Sequence, residues 1–448
     1  MELISSLVVA LALYFIYRTW AKWLFDPVGL FIIAFSLTYG FRMLVIAFGI
    51  DHPYPDYLFR FGAPTLKANI FLLWFLLFVA LGLMAGSQGN LKLRFLFPST
   101  KLSIDFRKSF RIATVITGVW FVITLALLAR YGGFGGLVRA SKVDKQLAGL
   151  FFLLAIPSAG SSVSLVTFFL VLRDRVGRLE RGQRRIATAS VLFALLNGIG
   201  VYFWGARSLL VLIFVQLIIG YFTFSAASIR RRLRGLRPRI VLAIVLALGL
   251  GMTLVLGLRV YRDRTLSGEV SGSIAGQSII RQLSVASNSV SYDAYLLAQR
   301  DWPGKHRYRG GLDFYNSASG VIPRAIWAGK PQDVAPGAWF RKVYEPDTRN
   351  GWPMGGTGLW YLNFGVVGVV IGGLLTGLVV AAAARSMPDS RTNPLSFVLA
   401  FSVGFWVISD GVEGQFLVKW VTYVLPMFFL LPFMRQSRRA PLPVAVRN

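Results

Sequence analysis

Apolar runs about as long as a bilayer is thick recur through this chain, and they leave it one kind of environment. They lie at residues 3–17, 28–50, 67–86, 111–130, 149–172, 186–205, 208–228, 240–258, 358–384, 395–410 and 417–434. A helix of about 20 such residues crosses the hydrocarbon core, and an apolar run of that length has no other common use. The expected fold is therefore an all-α polytopic membrane protein with about 11 transmembrane helices. Four segments follow: a bundle over 1–258, a large extracytoplasmic loop over 259–357, a second bundle over 358–434 and a basic tail over 435–448.

Charge sets the expected orientation. The chain carries a formal net charge of +29. In a soluble protein that would suggest nucleic acid, but here the gathering of Lys and Arg in cytoplasmic loops accounts for it, and no nucleic-acid partner is expected. Residues 92–111, 173–185 and 229–239 each hold six Lys or Arg, and the tail after Met434 holds four. If the spans alternate, all four fall on one side. The acidic or mixed segments 51–66, 131–147, 259–357 and 411–416 fall on the other. The N-terminus is then expected outside and the C-terminus inside. Glu2 precedes the first apolar run and Arg18 follows it, the reverse of a secretory signal, so an uncleaved first span is expected. The basic loops also suit anionic lipid headgroups, although topology alone explains them. With no cysteine there are no disulfides and no thiolate metal sites.

The 259–357 segment is the one long polar stretch. It holds thirteen Lys or Arg against eight Asp or Glu and is rich in aromatic residues, a poor composition for disorder. A folded cap over a membrane-embedded site is expected. Between Arg300 and Arg341 the cations Lys305, His306, Arg307, Arg309, Arg324 and Lys330 interleave with Tyr308, Phe314, Tyr315 and Trp327. Guanidinium groups pair with phosphates and rings cover apolar sugar faces, so the pattern suits an anionic, sugar-bearing substrate; a solvated amphipathic cap has the same composition. His306 is an acid/base candidate in the same block. Arg207 stands in the narrow polar break between the sixth and seventh spans. There it serves either as a snorkelling anchor or as a bidentate phosphate ligand. Arg42, inside the second span, poses the same question.

Several chemistries find no support. There is no GxxxxGK[ST], no HExxH and no D-x-D. Glu345 and Asp347 form an E-x-D in an exposed turn, and His52 has no ligand-spaced companion. Neither a metal nor another cofactor is expected.

Three segments resemble the O-antigen polymerase family (Wzy-type oligosaccharide repeat-unit polymerases). WGARSLL, around Arg207, is similar to the family's small-residue–Arg segment at the start of a span. GVIPRAIWAGKP, with Arg324, Trp327 and Lys330, is similar to its PR…W…KP segment in the large outer loop. GLWYLNFGVVGVVIGG, with Tyr361 and Asn363, is similar to its Y-x-N-F-G entry into the next span. The order matches too, over about residues 190–380. One position departs: Leu359 stands where family members often place a Glu, so the base must lie elsewhere.

The resemblance implies a bacterial inner-membrane glycosyltransferase, similar in architecture to GT-C-type lipid-dependent enzymes. Undecaprenyl-diphosphate-linked oligosaccharide would be both donor and acceptor, and a chain-length regulator a possible partner. Under that reading Arg207 and Arg324 clamp the lipid diphosphate. His306, Tyr308, Arg309, Tyr315, Trp327, Lys330, Tyr361 and Asn363 bind substrate. The outer-face acids Asp51, Asp56, Asp293, Asp313, Asp410 and Glu413 are base candidates, with Asp313 and Asp410 preferred. An O-antigen ligase acting on lipid A would share this architecture. A lipid-linked oligosaccharide flippase fits less well, because no internal repeat is present. An inactive membrane scaffold would need replaceable loop arginines.

The orientation is testable in this cysteine-free chain. Ser271→Cys should react with an impermeant maleimide from the outer face of intact inner membrane. Reaction only after permeabilisation would invert the topology.

Overall fold

The computed structural model describes residues 1–50, 64–88, 93–142, 153–174, 179–203, 207–225, 290–322, 326–327, 329, 336–346, 351–409 and 411–436. Apart from one isolated bridge between Ile104 and Arg435, all regular structure among them is helical. In chain order the helices are α1 (Glu2–Trp20), α2 (Pro27–Ala47), α3 (Thr65–Ser87), α4 (Phe106–Arg130), α5 (Phe134–Lys142), α6 (Ala155–Arg173), α7 (Arg181–Phe203) and α8 (Arg207–Phe224). After the segment 226–289 come three short helices, α9 (Val290–Asp301), α10 (Leu312–Gly320) and α11 (Pro336–Tyr344). The long α12 (Gly355–Ser386), α13 (Pro394–Ile408) and α14 (Phe416–Met434) complete the order. Eight helices among the described residues are long and apolar enough to cross a membrane; α8 and α13 are shorter apolar helices. The fold is that of an all-α polytopic membrane protein. The expected span at 240–258 lies outside the described residues.

Caps fix where helices start. The Asp26 carboxylate accepts from Gly29 N at 2.7 Å with Pro27 at the first helical position, and Asn393 caps Leu395 N at 3.0 Å with Pro394 following. Asp105 accepts from the backbone N–H groups of Arg107 and Lys108. That cap starts α4 at Phe106, ahead of the apolar run that begins at 111. Both α2 and α13 carry a π-helical stretch, at Ser36–Gly40 and Val403–Ile408. The second packs on α2, where a Cβ on Gly404 would meet Leu30 at 2.6 Å.

The two chain faces sort by their hydrogen bonds. On one, Glu2 bonds Thr65, Lys67 Nζ donates to Gln299 O (2.8 Å) and Tyr39 OH donates to Met354 O (3.2 Å). On the other, Trp23 Nε1 donates to Ser390 Oγ (2.7 Å), Thr100 N to Ser386 O (3.3 Å) and Asp105 N to Met434 O (2.9 Å). The second face thus collects Lys101, Arg107, Lys108, Arg385, Arg391 and Arg435. The short helices α9–α11 sit on the first.

The backbones of α3 and α12 cross at van der Waals distance through Gly82, Gly373 and Gly377. Any Cβ there would collide with carbonyl oxygens of Phe75, Val79 or Leu374, which are backbone and cannot rotate away. Small residues at such a crossing let helices associate by close packing where lipid supplies no hydrophobic drive. Gly377→Val should therefore destabilise the bundle by about 1–3 kcal/mol, read as earlier thermal unfolding in detergent. An unchanged melt would mean that α3 and α12 are not held at this crossing.

Candidate functional site

The site is built on a break in α12. Within GLWYLNFG, Gly365 adopts φ 63° and ψ −142°, outside the helical region. A left-handed φ favours glycine, and the Tyr308 ring lies 2.8 Å from where a Cβ would stand. Such a break removes the amides that would have bonded the preceding carbonyls, and because Leu362 and Asn363 are buried those carbonyls require donors. The cap supplies them: Arg309 N donates to Leu362 O and Gly310 N to Asn363 O, both at 3.0 Å. Gly310 and Gly311, with φ 60° and 89°, then turn the chain directly into α10. Phe314 of that helix packs between Trp360 (4.3 Å between centroids) and Phe364 (5.7 Å).

Beside the break lies a buried ion cluster. Arg309 holds Asp313 with two parallel bonds, Nε to Oδ2 and Nη2 to Oδ1, each 2.8 Å. The side chains are 9% and 1% exposed. Asn363 Nδ2 donates to Asp313 Oδ2 at 2.9 Å and to Leu359 O at 2.9 Å. The guanidinium also lies 3.8 Å from the centroid of the Trp339 ring, which brings α11 over the pair. Tyr361 donates from its OH to Trp302 O at 2.9 Å, and Tyr308 stands edge-on to it.

Two further charge clusters flank this one. Asp301 accepts from Arg300 Nη2 (2.7 Å), Lys305 Nζ (3.0 Å) and Tyr344 OH (2.7 Å). Burial opposes its charge, but the Arg300, Tyr344 and Lys305 hydrogen bonds outweigh that and bring its pKa down to about 2. Arg42 Nε donates to Asp293 Oδ2 at 2.8 Å, both side chains fully buried. Next to Asp293, Tyr292 OH donates to Asn69 Oδ1 (2.8 Å), and Asn69 Nδ2 donates to Ser5 and Ser6. The α9 helix is thereby tied to α1, α2 and α3.

Of the residues expected from the sequence, Tyr308, Arg309, Asp313, Tyr361 and Asn363 are brought together here. His306 stacks on Trp302 at 4.4 Å, at the edge of the same group. Tyr315 is 53% exposed and lies on the side of α10 away from the ion pair, and Trp327 is half-buried. Arg207 opens α8, whose other end places Phe224 against Phe397 just after the Asn393 cap. Its backbone therefore lies at the face that carries the cap. The Arg207 side chain, Arg324, Lys330 and Asp410 lie outside the described residues, as do Asp51, Asp56, His52 and Asp347. Glu345 and Glu413 are engaged by Arg341 and Lys419. Trp339, Trp302 and Asn69 had no sequence signal that set them apart from other aromatic or polar residues. Arg42 did, as a cation inside a span, but its partner could not be chosen among the acids.

The chain is 28% identical over 124 residues to proteins called O-antigen polymerase from Salmonella typhimurium and from Salmonella typhi. The match takes in 25% of this chain and 30% of each relative, so the chain spans under a third of the relatives' length. No family model and no solved structure matches it.

Removing one member of the buried pair should cost more than removing both. Arg309→Ala leaves Asp313 with an uncompensated charge, a loss of about 3–5 kcal/mol. Arg309→Met combined with Asp313→Leu should recover most of the lost thermal stability in detergent. Equal melts for wild type and Arg309→Ala would mean that the pair does not hold the cap.

Proposed function

We propose that this protein is a membrane glycosyltransferase that joins lipid-diphosphate-linked oligosaccharide repeat units at the outer face of a bacterial inner membrane. The observation that carries the reading is the similarity to two O-antigen polymerases. The site described above supports it chemically: an arginine- and aromatic-rich cap is seated where a membrane helix breaks. In this reading 259–357 is the outer cap, the N-terminus is periplasmic and the C-terminus cytoplasmic. The substrate is undecaprenyl-diphosphate-linked glycan, and a chain-length regulator is its partner.

The reaction joins an acceptor hydroxyl to the anomeric carbon of the donor. The sugar–phosphate bond breaks, and the lipid diphosphate leaves with the bonding electrons. Arg207 and Arg324 stabilise the charge growing on that leaving group. Both lipids are confined to one plane, which supplies proximity. Arg309, Lys330 and His306 face the anionic part of the substrate. Tyr308 and Trp327 face its sugars, while Tyr361 and Asn363, buried beneath, hold Tyr308 and Asp313 in position. The hydroxyl proton passes to a carboxylate, Asp410 or Asp313. For Asp313 this requires the guanidinium of Arg309 to exchange it for a substrate phosphate oxygen, which frees the carboxylate as the substrate docks.

Arginine charge takes the place of a divalent cation in this scheme, because guanidinium stays protonated and grips phosphate in a fixed fork. Arg207→Ala and Arg324→Ala should each lower polymerisation about 100–1,000-fold while the protein still inserts. Purified wild type should extend lipid-linked repeats in excess EDTA without nucleotide sugar. Normal ladders from both variants, or activity that returns only with Mg²⁺, would defeat the clamp.

A further inference from the structure

The short helix α10 is built inside out. Leu312, Tyr315 and Ala318 recur at three-residue spacing and are exposed, Leu312 at 46% and Tyr315 at 53%. The fully buried residues are polar, Asp313, Asn316, Ser317 and Ser319, and Phe314 is the one large apolar side chain that packs inward. A helix on a water-covered cap would show the opposite order, with its apolar stripe toward the core. Two more apolar residues, Ile322 and Ile326, are exposed just after the helix.

The level of the helix says what covers the apolar side. On α12, Phe364, Val367, Ile371 and Leu374 are exposed at the spacing of one helix face, the pattern of a span facing lipid. The start of α10 abuts the top of that stripe: a Cβ on Gly311 would lie 3.0 Å from the Phe364 ring. From Phe364 to Ser386, where α12 ends beside Arg385, the helix is roughly 33 Å long at 1.5 Å per residue. The hydrocarbon core is about 30 Å thick. Phe364 therefore stands at the outer hydrocarbon boundary, and the exposed side of α10 continues the lipid-facing stripe at that depth.

We infer that α10 is an interfacial membrane helix whose Leu312–Tyr315–Ala318 side rests on the acyl chains of the outer leaflet. Its polar side then closes the Arg309–Asp313–Asn363 cluster from the lipid. Amphipathic helices of this kind bury their apolar side at the headgroup–acyl boundary. The inference stands on burial and depth and is independent of the reaction proposed above; only the assignment of the leaflet as the outer one rests on the orientation proposed there.

Nitroxide labels on single cysteines at Leu312, Tyr315 and Ala318, in protein reconstituted into phosphatidylcholine–phosphatidylglycerol vesicles, test it. Val367→Cys serves as the lipid reference and Lys305→Cys, on a side chain 66% exposed, as the water reference. Collision with oxygen should exceed collision with a water-soluble nickel chelate at all three α10 sites, by a ratio several-fold above that at position 305. Nickel-dominated labels at 312 and 315 would overturn the inference. So would labels that neither reagent reaches, since protein would then cover the face. Apolar readings seen only after lipid-linked oligosaccharide is added would assign the face to substrate and overturn it as well.

Discussion

A buried carbonyl must find a donor, and that constraint shapes the whole site. The break at Gly365 leaves the carbonyls of Leu362 and Asn363 without donors of their own helix, and both residues are buried where water does not reach. The cap answers with the amides of Arg309 and Gly310. Those two bonds fix the backbone of the cap against the break, and the side chain of Arg309 is then placed over Asp313 by the first turn of α10. Asn363, two residues before the break, completes the cluster. The polar site and the broken helix are one structural solution, since neither is satisfied without the other.

The rest of the cap docks through an apolar interface, in which Tyr295, Leu296, Leu297 and Trp302 join the core of the bundle, and through charges and amides set into it. Arg42 meets Asp293 in full burial, and Asn69 links Tyr292 to Ser5 and Ser6. A buried ion pair adds little net stability over a well-packed apolar pair, but losing one partner is costly, so it specifies position strongly. The π-helical stretch at Ser36–Gly40 ends two residues before Arg42, and such bulges are frequent at functional sites.

Much of the fold was legible because a bilayer imposes length. Each described span coincides with an apolar run, and Asp26-Pro27 and Asn393-Pro394 mark helix starts by local chemistry alone. The grouping of Tyr308, Arg309, Asp313, Tyr361 and Asn363 was legible only as two neighbouring segments. What joins them is the break at Gly365, and a glycine in a glycine-rich span does not announce its φ. The inward polar side of α10 was not legible either. Read on its own, LDFYNSASG presents an apolar stripe that would be assigned to a core, and only the position of α12 reverses that assignment. Arg42 and Asp293 illustrate a further limit, because pairing across 251 residues leaves no local pattern.

That separation also has a consequence for how the protein is made. Arg42 enters the membrane with the second span, long before Asp293 has been translated. At about 5–20 residues per second, the interval is roughly 13–50 seconds. During that time the guanidinium has to be carried by lipid phosphate, by water or by the insertion machinery, none of which is part of the finished fold. Closure of the pair therefore marks a late step of biogenesis, when the bundle first acquires its lid and the arginine gives up its temporary hosts.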